Sequence, residues 1–159
     1  GENTWRECLK AAGFDSNREF KPNEDVEEEG SVNLVAKTSE KLNLPLQKLY
    51  DDFGEYWCCH YAPEVYSFWY IGIQNSKDMI LKLDRIHSVV GKHFNGAKPP
   101  HFEYEWLDQQ EKVLKVTYDS DRKLIDLYVG LAKGVGVWFK EDLQVEKLND
   151  TQVKITFPN

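Results

Sequence analysis

Apolar positions follow a helical period up to about residue 94 and a mixture of strand and helical periods after it. Thr4–Ala12 predicts a short helix ended by Gly13. Within Ser31–Leu42, Leu34, Val35, Thr38 and Leu42 repeat at helical spacing. Pro45 suits the first turn of a third helix, which would carry Leu46, Leu49, Tyr50, Phe53, Trp57 and Tyr61. Glu64–Ile73 is aromatic-rich and predicts a short helix and a turn. Asn75–Phe94 has the clearest stripe, at Ile80, Leu83, Ile86, Val90 and Phe94. Ser76 is its expected N-cap, and Asp78 suits the positive end of the helix.

Pro99-Pro100 stops any helix. His101–Trp106 then alternates, with Phe102, Tyr104 and Trp106 on one face. Lys112–Tyr118 alternates again through Leu114, Val116 and Tyr118, and Asp108–Glu111 makes a hairpin loop between the two. Lys123–Phe139 returns to helical spacing. Two further strands are predicted around Leu143–Lys147 and Gln152–Phe157. The fold class is therefore α+β: an N-terminal helical subdomain, then a four-stranded antiparallel sheet with one long helix. One domain over 1–159 is expected, with a helical half at 1–94 and a sheet-plus-helix half at 95–159.

Composition narrows the function. A net charge of −7 lacks the basic footprint of a nucleic-acid binder and disfavours anionic membrane surfaces. No apolar run approaches membrane-spanning length. The first thirty residues are polar and acidic, unlike a signal peptide, and the run Glu24-Asp25-Val26-Glu27-Glu28-Glu29 reads as a solvated face or helix start. Cys8, Cys58 and Cys59 form neither a disulfide framework nor a zinc pattern, so a reduced, cytoplasmic setting is expected. Cys58 and Cys59 read as packing residues.

Two places could carry chemistry. His87 lies within the apolar stripe, four residues after Leu83 and three before Val90, as a core histidine or a ligand. Tyr118-Asp119-Ser120-Asp121-Arg122 lies where a strand gives way to a helix. Its phenol, hydroxyl and guanidinium, at i, i+2 and i+4, can converge as a carboxylate receptor or can be a capped strand end with a surface ion pair. No nucleophile elbow, Gly-rich phosphate loop or HExxH occurs, and no histidine is placed to make a triad with Ser120. An enzyme is not expected.

Taken together, these residues resemble the haem nitric oxide/oxygen binding (H-NOX) domain family, related to the haem domain of soluble guanylate cyclase. Tyr118, Ser120 and Arg122 match the family's Tyr-x-Ser-x-Arg motif, which binds the haem propionates. Leu83-Asp84-Arg85-Ile86-His87 matches the context of its iron-ligating histidine, and Pro100 falls where a proline presses on the haem. Phe53-Gly54 also has a counterpart. The likeness covers nearly the whole chain in order. It departs at the start: family members usually begin with a further helix of about twenty residues over the distal haem face, and Gly1–Trp5 resembles the segment after it.

The resemblance implies haem b (iron protoporphyrin IX) between the two halves, with His87 as proximal ligand. His60, His93 and His101 are weaker rivals. Oxygen-binding members carry a distal tyrosine three residues before a glycine; counting back from Gly130 gives Leu127, which donates no hydrogen bond. Tyr128, next along, points about a quarter-turn away. A sensor of NO and CO without a stable oxygen complex is expected, signalling to a separate histidine kinase or cyclic-di-GMP enzyme. The alternative is a haem-free ligand- or protein-binding module of the same fold.

Overall fold

The computed structural model describes residues 1–21, 26–93 and 98–158, without the side chains at positions 28 and 93. Glu24 and Asp25 of the acidic run, Phe94 of the helical stripe and the side chain of His93 lie outside the described residues. The chain forms two compact units, Gly1–Leu49 and Tyr50–Asn159.

The first unit pairs α1 (Glu2–Ala11) with α2 (Glu28–Leu42). Cys8 and Leu9 are the buried face of α1. Gly13 turns the chain with φ +87°, and Phe14 then donates its N–H to Leu9 O at 2.9 Å. Asn33 Nδ2 reaches Ala12 O at 3.2 Å, and Lys41 pairs with Glu7 at 2.7 Å. The second helix starts three residues earlier than its apolar spacing implies. The acidic residues at its start explain this, because carboxylates suit a helix N-terminus.

From α3 (Leu46–Tyr56) the chain continues through a π-helical turn (Trp57–Tyr61) into α4 (Ala62–Val65) and a 3₁₀ turn (Ser67–Trp69). The sequence predicts one unbroken helix through Tyr61. The wider π turn lets two consecutive thiols face one neighbour: Cys58 Sγ lies 3.5 Å from Leu131 O and Cys59 Sγ 3.8 Å from Gly134 O. Next comes α5 (Ser76–His93). Its cap is Asn75, whose Oδ1 accepts the Asp78 N–H at 2.8 Å, and not Ser76 as predicted. Ser76 is the first helical residue and is fully buried against Glu141.

The sheet holds β1 (His101–Trp106), β2 (Val113–Asp119), β3 (Gln144–Lys147) and β4 (Gln152–Thr156) in the order β1-β2-β4-β3, all antiparallel. Phe102 opposes Tyr118, Leu114 opposes Ile155, and Val116 opposes Val153. These six side chains are buried together on one face, the predicted one. Helix α6 (Ile125–Phe139) adds Ile125, Tyr128, Val129, Ala132 and Val135 to the same core. Each large apolar side chain there contributes about 1.5–3 kcal/mol by leaving water. No helix among the described residues is long and apolar enough to cross a membrane.

Helices α3 and α6 meet backbone to backbone. A Cβ on Gly54 would lie 2.1 Å from Gly130 O, and one on Gly134 would lie 2.2 Å from Gly54 O. Lys133 pairs with Asp51 at 2.7 Å beside this contact. Gly54→Ala is therefore expected to destabilise the fold by about 3 kcal/mol, the upper end of the usual overpacking cost. Gly72→Ala, in open space with φ +76°, should cost only about 1 kcal/mol of backbone strain. Urea unfolding of both variants measures the difference.

Candidate functional site

His87 sits on the fourth turn of α5, facing β1. Its ring stacks on Phe102, with centroids 5.3 Å apart and planes inclined by 28°. The Nδ1 atom is buried and has no hydrogen-bond partner. Burial holds the imidazole below its ordinary pKa, and the nearby Asp84 carboxylate opposes this only in part. The result is a neutral imidazole in apolar surroundings, the form that ligates a metal.

Asp84, one turn earlier, ties the helix to the strand. Its Oδ1 accepts the Phe102 N–H at 3.1 Å and lies 2.8 Å from His101 Nδ1. Burial acts to raise the Asp84 carboxyl, but the Phe102 N–H, the His101 contact and His87 outweigh it and hold it below its usual range. Tyr104 adds a second tie, donating to Ile80 O at 2.9 Å. Phe102 is thus fixed by its own backbone amide against His87. Sequence reasoning placed Phe102 on the inner face of β1 but did not connect it to His87, which is fifteen residues away.

Tyr118, Ser120 and Arg122 span the end of β2 and the approach to α6. The Tyr118 ring is buried, 5.8 Å from Phe102 and 6.1 Å from Tyr128. Ser120 is half-buried, and its Oγ accepts the Arg122 N–H at 3.3 Å. Arg122 is exposed. The stretch therefore runs from an apolar interior to a hydrated rim where Arg122 lies among the exposed Asp119, Asp121 and Lys123. Lys123, at φ +52°, completes the turn into α6.

Leu127 is half-buried on α6. Tyr128 is fully enclosed, 5.0 Å from Phe102, with a hydroxyl that has no partner. Its burial raises the phenol well above the ordinary pKa, so it stays protonated. Tyr128 belongs to the same aromatic cluster as His87 and Tyr118, through their shared neighbour Phe102. Pro100 is half-buried just before β1, and Pro99 lies against Gly91 of α5.

The other histidines are placed differently. His101 is exposed beside Asp84. His60 is exposed on the π turn, with its ring 5.6 Å from that of Tyr56. Cys58 is buried, and its thiol is pushed up to about 12, which makes it an unreactive packing group. Two clefts open on this unit. One, of about 490 Å³, lies among Asn75, Lys77, Glu141 and Phe157, and the other, of about 260 Å³, lies among Asp52, Glu55, Tyr56 and His60. His87, Tyr118, Ser120, Arg122 and Leu127 line neither of them.

The donor set fits a haem: one neutral imidazole with an orphaned nitrogen, apolar neighbours, and a tyrosine–serine–arginine stretch leading to solvent. Among the described residues no three His, Cys, Asp or Glu side chains gather to hold a bare metal ion.

Comparisons with known proteins bear on the fold and the family. A Cs H-NOX mutant carrying 4-cyano-L-phenylalanine superposes with a TM-score of 0.86 at 24% identity, over 100% of this chain and 88% of that one. A single-site mutant of T. Tengcongensis H-NOX gives 0.83 at 25% identity, over 100% and 89%. An oxygen-binding H-NOX domain related to soluble guanylate cyclases, in its oxygen complex, gives 0.79 at 24%, over 100% and 87%. A search of curated proteins found no match. The sequence profile described as Haem-NO-binding matches residues 1–147. The chain belongs to the Haem-NO-binding (H-NOX) family of gas-sensor domains, which are not themselves enzymes.

Proposed function

We propose that this domain holds haem b through His87 and senses NO and CO, passing the signal to a separate partner protein. The observation that carries this reading is the neutral, half-buried imidazole of His87, whose Nδ1 has no partner inside the protein. Bound haem would supply a ferrous iron at which a diatomic gas binds. His87 would be its proximal ligand. Tyr118, Ser120 and Arg122 would hold the propionates, with Arg122 giving the charge-assisted fork. Pro100 would press on the macrocycle.

Leu127 would set the choice of gas. A leucine cannot donate to bound oxygen, whose complex is polar, whereas NO and CO need less help. His87 is also the switch in this reading. While held, it anchors the fourth turn of α5; once released, that turn is free to move against β1, and a partner surface would respond. A histidine kinase or a cyclic-di-GMP enzyme is the expected class of partner.

A haem-free binding module is the second reading. The stacking of Phe102 on His87, and the position of both clefts away from it, favour that alternative. Absorption spectra decide between the two. The protein supplied with haem should show a Soret band. His87→Gly should lose its native form and regain it on adding imidazole. The ferrous protein in air should form no lasting oxygen complex, and Leu127→Tyr should create one. A protein that takes up no haem would leave only the haem-free module.

The neutral imidazole also predicts a pH dependence. His87 has a folded pKa below its unfolded value of about 6.5, so below that pH the unfolded chain binds more protons than the folded one. Stability should therefore fall as pH drops from about 6.5 toward the lowered folded value. Thermal melts of the haem-free protein at pH 7.5 and 5.5 should show this loss, and His87→Leu should reduce it.

A further inference from the structure

We propose that Glu141 is a positioning residue for His87, acting through the first turn of α5. The inference rests on the haem reading above. Ser76, the first residue of that helix, is fully buried. Its N–H donates to Glu141 Oε2 at 3.1 Å, and its hydroxyl donates to the same oxygen. Two charge-assisted bonds to one carboxylate, at the positive end of a helix, make a firm joint.

The other side of the joint is equally fixed. Glu141 follows the left-handed Lys140 that ends α6, and its N–H donates to Gly136 O at 2.9 Å. Gly136 packs closely there, because a Cβ on it would lie 2.8 Å from that of Leu143. The Glu141 backbone is therefore held at the end of α6, and its carboxylate reaches Ser76 from there.

This joint closes a loop. Along α5, His87 lies eleven residues beyond Ser76, or about 16 Å of axis. Helix α6 begins just beyond Tyr118, Ser120 and Arg122 and ends at the joint. The two attachments of one ligand, to the imidazole and to the propionate-binding stretch, thus belong to two helices pinned together at their far ends. The pin adds to the ties that Asp84 and Tyr104 make between α5 and β1, and together they would set where α5 presents His87 to an iron. With the pin loosened, the imidazole would be freer to shift relative to the propionate-binding stretch.

The test uses Glu141→Ala, Glu141→Gln and Ser76→Ala, the last removing a single donor should the first fail to fold. In the haem-free protein, amide exchange at Met79 and Ile80 should quicken on the order of tenfold in Glu141→Ala and less in the other two. In the haem-loaded ferrous protein, the iron–imidazole stretching band in resonance Raman should shift in the same order. The rate at which NO displaces His87, followed by the Soret shift, should change on the order of tenfold in Glu141→Ala. Faster amide exchange with an unmoved Raman band would overturn the proposal and leave Glu141 a merely structural cap. A wild-type protein with no Soret band would overturn the haem reading and this inference with it.

Discussion

The site depends on one half-buried imidazole. His87 presents a polar ring to an aromatic surface, and nothing in the protein satisfies its buried Nδ1. An orphaned polar atom costs about 1–3 kcal/mol, and burial removes the option of regaining solvation by taking a proton. The surrounding structure bears that cost by holding the ring against Phe102. Asp84 fixes the Phe102 backbone, and Phe102 then backs the imidazole. This polar exception inside an apolar face is the observation on which the haem proposal rests.

Around that ring the structure is stiff where helices touch and adjustable where aromatic rings meet. The contact of Gly54 with Gly130 and Gly134 leaves no side chain between α3 and α6, so neither helix can approach the other further. The adjacent thiols Cys58 and Cys59 follow the same surface, with the π turn supplying the width they need. The cluster of Phe102, Tyr118 and Tyr128, by contrast, meets at ring separations of 5.0 to 6.1 Å and contains a phenol with no partner. Rings can rotate where backbones cannot.

Much of the architecture was legible in residue spacing. β1 falls at His101–Trp106 as its alternation requires, and the inner faces of β2 and β4 are the predicted Leu114, Val116, Tyr118 and Val153, Ile155. Local geometry accounts for this: a strand exposes alternate residues and a helix every third or fourth, so one buried face writes itself into the sequence. The motifs Leu83–His87 and Tyr118–Arg122 were legible for a similar reason, since each is a few residues long. The π turn was not legible, because its cause is α6, more than seventy residues away. The cap of α5 was misassigned because asparagine and serine stand side by side, and only the carboxylate of Glu141 decides which serves.

The sequence by itself determined the order of elements, the faces they bury and the family to which the chain belongs. It also singled out His87 as the one histidine on an apolar stripe. Only the tertiary structure decided that Phe102 lies against this imidazole, that Tyr128 joins the cluster behind it, and that Ser76 is pinned by Glu141. Periodicity is imposed by backbone geometry within a few residues, whereas these pairings join positions between fifteen and sixty-five residues apart. They exist only because packing closes the chain on itself.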